Sequence, residues 1–230
     1  MINLKHRSKL KELLDADDIP FTDIQQNMKE LNTINTLLGG HAITIQGFKE
    51  IYKKTNQISI CEIGCGGGDN LAVIHEYCQK NNIDANFMGI DLKQSCIDFA
   101  QQQYPFLPCQ WMVSDYKAAL FPTKPHIIFS SLFCHHFSEP DLLFMLVWMK
   151  QNSRSGFFIN DLERNILAYH SIKFLTRIFS NSYLVKHDAP LSVARGFKKT
   201  EWISLLKKGG IKEANVLWKW AFRHLIIFKH

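Results

Sequence analysis

An acid and three alternating glycines, Glu62-x-Gly64-x-Gly66-x-Gly68, stand where an apolar run gives way to a helical pattern. Ile58, Ile60 and Ile63 read as a short buried strand, and Leu71, Val73, Ile74, Tyr77 and Cys78 continue at roughly helical spacing. The glycines therefore fill a strand-to-helix turn. Without a Cβ the backbone can pass close to a ligand, and the helix that follows offers unpaired amides. Two ligand classes use such a turn, and the spacing separates them. A dinucleotide turn needs G-x-G-x-x-G with the diphosphate on the helix dipole. Gly64 and Gly66 would then require glycine where Asp69 stands, and a carboxylate there repels a diphosphate.

The pattern acid-x-Gly-x-Gly-x-Gly instead resembles motif I of the class I S-adenosylmethionine-dependent methyltransferases. Their cofactor has no phosphate and presents an ammonium that an acid can hold. Two further acids match that family. Ala85 to Leu92 reads as a second strand ending in Asp91, placed to accept hydrogen bonds from ribose hydroxyls. Cys109 to Val113 reads as a third strand running into Ser114-Asp115-Tyr116. There the resemblance implies that Asp115 receives an adenine amino group and Tyr116 lies against the ring. The cofactor set it implies is Glu62, Gly64, Cys65, Gly66, Gly68, Asn70, Asp91, Leu92, Ser114, Asp115, Tyr116, Ser131 and Leu132, holding S-adenosyl-L-methionine and releasing S-adenosyl-L-homocysteine.

Methyl transfer from a sulfonium is an in-line displacement, so the protein must align acceptor and methyl and, for an oxygen acceptor, remove a proton. A phenol has a pKa near 10, so a base helps. Phe133-Cys134-His135-His136-Phe137 follows the fourth strand and is similar to the Leu-x-His-His-Phe segment of methyltransferases acting on small molecules. His136 is the preferred base and His135 the runner-up; a structural role for both is the alternative. Asp161, at the end of the fifth strand, could orient a histidine, bind an acceptor hydroxyl or cap a helix. Asn160, His170, His187 and Arg195 are candidate substrate residues, Arg195 suiting an anionic group. Asn160 and Asp161 alone are a thin basis for metal, and no metal is expected. The Asn/Asp-Pro-Pro-aromatic signature of base amino methylation is replaced by Ser130-Ser131-Leu132-Phe133.

The elements that must position these groups alternate strand and helix from Gln57 onward, which implies a parallel sheet with helices on both faces. The expected fold is a Rossmann-like, doubly wound α/β sheet of seven strands. A fourth strand spans Pro125 to Leu132, Ser138 and Pro140 open a helix, and Gly156 to Asp161 is a fifth strand. Helix, strand, strand end the chain, with a tight antiparallel link near Trp218-Lys219. The resemblance covers residues 57–161 by motif and the last thirty by architecture. Residues 1–56 form an N-terminal helical extension, with one helix from Thr22 or Asp23 to Gly39-Gly40 and a second from Ile43 to Lys54, expected to pack across the cofactor or substrate entrance. The resemblance implies that residues 57–230 form a methyltransferase domain. Within it, 162–199 is long for a loop and reads as a lid, an apolar helix from Ile166 to Phe179 followed by a loop from Lys186 to Phe197. Its apolar content suggests a hydrophobic or aromatic acceptor.

With 230 residues, 46% apolar and 21% charged, the chain is long enough for one α/β domain plus an appendage. Six cysteines without a CxxC pair or zinc spacing read as reduced thiols of a cytoplasmic protein. The first residues lack the apolar core of a signal peptide, and no stretch is long enough to span a bilayer. The charge of +6 is spread, apart from the basic cluster Lys5 to Lys11. The leading expectation is O-methylation of a small aromatic or polyketide-like metabolite. A quinone-precursor C-methyltransferase, an RNA methyltransferase, a nicotinamide oxidoreductase and a non-catalytic cofactor-binding subunit are the rivals.

Overall fold

The structure is a computed structural model that describes residues 3–16 and 18–230. Seven strands form one sheet: β1 (Ile58–Ile63), β2 (Ala85–Asp91), β3 (Cys109–Val113), β4 (Ile127–Ser131), β5 (Gly156–Leu162), β6 (Asn215–Lys219) and β7 (Arg223–Lys229). Their order is β3-β2-β1-β4-β5-β7-β6. β1 to β5 are parallel, and β7 runs antiparallel between β5 and β6. The order reverses between β1 and β4, which opens a crevice at the carboxyl ends of these strands. β4 is buried along its whole length and β1 at all but one position, as expected of parallel strands covered on both faces.

Among the described residues eight α-helices accompany the sheet: α1 (Phe21–Leu37), α2 (Gly40–Ile51), α3 (Asp69–Lys80), α4 (Gln94–Gln103), α5 (Glu139–Asn152), α6 (Ile166–Phe179), α7 (Tyr183–Arg195) and α8 (Lys199–Lys208). Two cores result. Met145, Trp202 and Phe157 anchor the face under α5 and α8; Phe48, Leu71 and Phe87 anchor the face under α2 and α3. α2 lies directly on the sheet: a Cβ at Gly47 would sit 2.5 Å from the Phe158 ring, which itself stacks on Phe129 at 4.7 Å. α1 packs on α4 through Ile24, Met28, Cys96 and Phe99, and this lays it over the strand ends.

Three local expectations need correction. The segment expected as a loop from Lys186 to Phe197 is largely helix α7, capped by Ser182, whose hydroxyl accepts from Val185 N–H at 3.3 Å. Pro190 and the polar residues suggested a break, but eight of the thirteen residues of α7 are buried, Leu184, Val185, Leu191 and Val193 among them, and this packing outweighs it. The final turn falls at residues 220–222 rather than at Trp218-Lys219, with Ala221 and Phe222 at φ 59° and 57°. α2 begins at Gly40, because Gly39 at φ 75° redirects the chain there.

Candidate active site

The Gly-rich turn joins β1 to α3. Gly64 and Gly68 have φ of 66° and 79°, and a Cβ would lie 2.3 Å from the Phe133 ring at Gly64 and 2.5 Å from Trp111 at Gly68. Both the backbone conformation and the space therefore demand glycine. The Gly66 N–H donates to Asp91 Oδ2 at 2.9 Å, and Lys93 N–H donates to Oδ1 at 2.9 Å. These bonds tie the turn to the end of β2, while burial pushes the Asp91 carboxyl above its ordinary range.

A cleft of about 420 Å³ opens over this turn. Glu62, Gly64, Cys65, Gly66, Asn70, Asp91, Leu92, Ser131 and Leu132 of the expected cofactor set line it. Gly68 shapes the turn from behind. Ser114 and Asp115 do not line the cleft: Asp115 accepts from Lys117 N–H at 2.9 Å and caps a 3-10 turn. Tyr116 points into the core, edge-on to Trp148 at 5.2 Å and to Phe137 at 6.1 Å, so the expected ring contact is not formed. Phe133 and Phe137 are the aromatic residues that do face the cleft.

Glu62 tests whether a sulfonium cofactor fits. It is buried, and among the described residues neither carboxyl oxygen has a hydrogen-bond partner. Burial first, then Asp69 and Asp91, push its pKa well up, with Asn70 opposing. A buried acid without a partner is costly, and an ammonium supplied from the cleft would relieve that cost. Asp69 is already engaged, by His41 Nε2 at 2.8 Å and Asn35 Nδ2 at 3.3 Å. The residues present therefore fit S-adenosylmethionine: Glu62 for the ammonium and Asp91 for ribose hydroxyls.

A second cavity, of about 300 Å³ and mostly apolar, lies between α1, α6, α7 and the β6–β7 turn. Leu31, Ile34, Leu162, Ile172, Val193 and Trp220 are among its walls. His136 and Leu132 line both spaces, as do Leu14 and Leu31. Leu132 holds φ at 52°, a conformation that costs a non-glycine residue of order 1 kcal/mol, and its N–H donates to Asn160 O at 2.9 Å.

The two histidines have different surroundings. His135 is buried, its Nδ1 2.8 Å from Asp161 Oδ1 and its Nε2 3.5 Å from Glu12 Oε1. Its backbone N–H also donates to Asp161 Oδ2 at 3.1 Å. Burial alone would lower its pKa, but the two carboxylates outweigh burial and push it up to about 9. His135 is thus held as an imidazolium at neutral pH and has no free acceptor for a proton. His136 is partly exposed, with Nε2 3.5 Å from Glu12 and Nδ1 3.2 Å from Asp15. Asp15 sits at about 2, where its bonds to His136 and to Glu12 N–H overcome a desolvation that works the other way. Glu12, His135 and His136 also offer three ligand atoms within 4.8 Å of one another.

Glu12, Leu14 and Asp15 were not among the residues the sequence singled out. They belong to a strap of residues 3–16 laid over α7, where Asp188 accepts from the N–H groups of Leu13 and Leu14 at 2.8 and 2.9 Å. Ser192 Oγ donates to Glu12 at 2.7 Å. Nothing in the spacing of Glu12 and Asp15 within the sequence points to His135 or His136.

The expected substrate residues fall elsewhere. Asn160 is buried against α2, its amide donating to Gly40 O at 3.1 Å and Thr44 Oγ1 at 3.3 Å. His170 lies on the outer face of α6, and His187 is exposed and paired with Asp188 at 2.7 Å. Arg195 is buried; its guanidinium donates to His135 O, Leu10 O and His136 O at 3.1, 3.0 and 2.9 Å. These bonds fix the His-His turn and leave little for an anionic substrate. Arg7 adds bonds to His135 O and Phe137 O at 3.1 and 3.0 Å.

Comparison with known proteins agrees with this geometry. Residues 60–156 match the family model described as a methyltransferase domain. No curated protein matches the sequence. Among solved structures, a SAM-dependent methyltransferase from Aquifex aeolicus superposes with a TM-score of 0.62 at 15% identity, covering 92% of this chain and 99% of the other. The plantazolicin methyltransferase in complex with SAH gives 0.54 at 19% identity, covering 91% and 89%. Human N-acetylserotonin methyltransferase in complex with SAM gives 0.62 at 11% identity, covering 91% of this chain and 56% of that one. The family match over β1 to β4 and their helices, the seven-stranded order with its terminal hairpin, and a cleft that suits the cofactor give this chain a methyltransferase domain at residues 60–156 within the fold of class I S-adenosylmethionine-dependent methyltransferases.

Proposed function

We propose that the chain methylates a hydroxyl of a small, largely apolar aromatic or polyketide-like acceptor held in the cavity between α1, α6 and α7, with His136 as the base. The observation that carries this reading is that His136 lines both the cofactor cleft and the apolar cavity. S-adenosylmethionine, when bound, supplies an electrophilic methyl group on a sulfonium. The chain's own residues do the rest. Glu62 and Asp91 hold the cofactor, Leu132 and Phe133 shape the passage between the two spaces, and the apolar walls exclude water from the acceptor.

A base at the junction accepts the hydroxyl proton as the oxygen becomes bonded to carbon. Both ring nitrogens of His136 face carboxylates, Nε2 at 3.5 Å from Glu12 and Nδ1 at 3.2 Å from Asp15. Unlike the enclosed His135 the ring is partly exposed, so for His136 to act the longer Nε2 contact gives way to the acceptor hydroxyl, and the carboxylates then stabilise the imidazolium that forms. His135 acts as a positioning residue: charged and clamped by Asp161, it holds Glu12 in place beneath His136. Proton transfer through His136 needs no metal, and the three-ligand cluster is accounted for by ion pairing.

The test is methyl transfer from isotopically labelled S-adenosylmethionine to a panel of alkylphenols, hydroxylated polyketides and quinone precursors, with RNA as a further acceptor and products located by mass spectrometry. Label on the oxygen of an apolar phenol supports the proposal. Label on ring carbon alone, or on RNA alone, overturns it.

A further inference from the structure

α6 is the element whose surface the fold leaves least explained. Of its fourteen residues only Ala168 and Thr176 are buried. Two neighbouring rows run along its outer side at i, i+4, i+7, i+11 spacing. One is Leu167, Ser171, Phe174 and Ile178, whose three apolar members are 65%, 64% and 55% exposed. The other is Ile166, His170, Lys173 and Arg177, with both cations exposed. The helix contains no acidic residue. An apolar row beside a cationic row is the arrangement of a helix lying in the plane of an anionic bilayer, where apolar groups enter the acyl boundary and cations meet lipid phosphates.

The position of α6 adds a second observation. Ser171 of the apolar row, with Ala168 and Ile172 on the inward side, forms one wall of the apolar cavity. Trp220, 72% exposed, lines the same cavity from the β6–β7 turn, and aromatic side chains of this kind favour a membrane–water interface. The exposed apolar surface is therefore continuous with the wall and rim of the acceptor cavity. No helix among the described residues is long and apolar enough to cross a membrane, so the contact is one of lying on the surface.

We infer that α6 docks the chain on an anionic lipid surface, so that a membrane-dissolved, lipophilic acceptor enters the cavity from the bilayer. This rests on the reading of the cavity as the acceptor site and deepens it by naming the substrate class. Charge complementarity selects the occupant: a second copy of this chain would bring another +6 chain and the same cationic row against this one.

The experiment is flotation of the full chain with vesicles of phosphatidylcholine alone and of phosphatidylcholine mixed with phosphatidylglycerol, across salt concentrations. Binding to the mixed vesicles that weakens with salt is expected. Lys173→Ala with Arg177→Ala should weaken it roughly 30-fold, each cation near an anionic surface contributing about fivefold. Phe174→Ser with Ile178→Ser should abolish it. Absence of binding, or binding unchanged in both double variants, overturns the inference. So does a concentration-dependent dimer in sedimentation that Phe174→Ser with Ile178→Ser dissolves, since that assigns the face to a second copy. Binding of S-adenosylmethionine measured by calorimetry without vesicles is independent of these outcomes. A chain that floats but methylates no apolar phenol therefore fails the functional proposal alone.

Discussion

Replacing Glu62 by glutamine separates the cofactor reading from a purely architectural one. The wild-type carboxyl is buried with both oxygens unpartnered and its pKa is pushed up by burial and by Asp69 and Asp91. If it receives the cofactor ammonium, it must ionise on binding and form a charge-assisted hydrogen bond, worth about 1.5 to 3 kcal/mol. Glu62→Gln keeps the shape and removes the charge, so affinity for S-adenosylmethionine and S-adenosylhomocysteine should fall about 10- to 150-fold. Methylthioadenosine, which lacks the amino acid portion, should bind both proteins alike. Titration calorimetry in two buffers of different ionisation enthalpy should show proton release on binding to the wild type at mildly acid pH and none for the variant. The sign for stability follows from the same shift. A carboxyl whose folded pKa is raised binds more protons folded than unfolded, so the ligand-free protein loses stability as pH rises from the unfolded value through the folded one. The variant lacks that slope. Equal affinity of both proteins for S-adenosylmethionine, or loss of methylthioadenosine binding in step, would refute the assignment of Glu62 to the ammonium.

Four further outcomes follow from the same geometry. His136→Ala should lower kcat for a phenolic acceptor about 10²- to 10⁴-fold with little change in S-adenosylmethionine affinity, and full activity in both His136→Ala and His135→Ala would remove histidine from the chemistry. His135, raised to about 9 in the folded state from about 6.5, contributes stability that is complete below pH 6.5 and is lost as pH rises through 9; denaturant titrations of His135→Gln should lose that slope. Arg195→Met removes the side-chain donor to Leu10 O and His136 O and one of the two donors to His135 O, so thermal unfolding should show a loss of about 1 to 3 kcal/mol, and an anionic acceptor should gain no preference over a neutral one in the wild type. Gly47→Ala pushes a methyl to within 2.5 Å of Phe158 and should destabilise the chain by about 1 to 3 kcal/mol in a urea melt.

The cofactor side was legible because its residues are close in sequence and their conformations are local. Gly64 and Gly68 each require a positive φ and a clear space, and such requirements act on residue type directly. Glu62 and Asp91 stand at strand ends that alternation alone locates. Tyr116 was misread for the opposite reason. A strand-end aromatic can turn to the crevice or to the core, and only the packing of Trp148 and Phe137 decides between them. The break expected at Pro190 failed likewise, since burial of most of α7 holds the helix together despite the missing N–H.

The acceptor side depends on contacts between segments distant in the chain, and this is why sequence could name two histidines without ranking them on physical grounds. What distinguishes His135 from His136 is not either residue but the company each keeps. Asp161 arrives from β5, Glu12 and Asp15 from the strap, and Arg195 from α7 fixes the carbonyls of both histidines. One imidazole is enclosed by two carboxylates and stays charged; its neighbour reaches the junction of the two cavities. In the proposed mechanism the strap therefore contributes to the chemistry although it lies outside the sheet and its helices. Glu12→Gln should lower the raised pKa of His135. NMR titration of the His135 imidazole in that variant measures the coupling, and unchanged titration would show that Asp161 alone holds it.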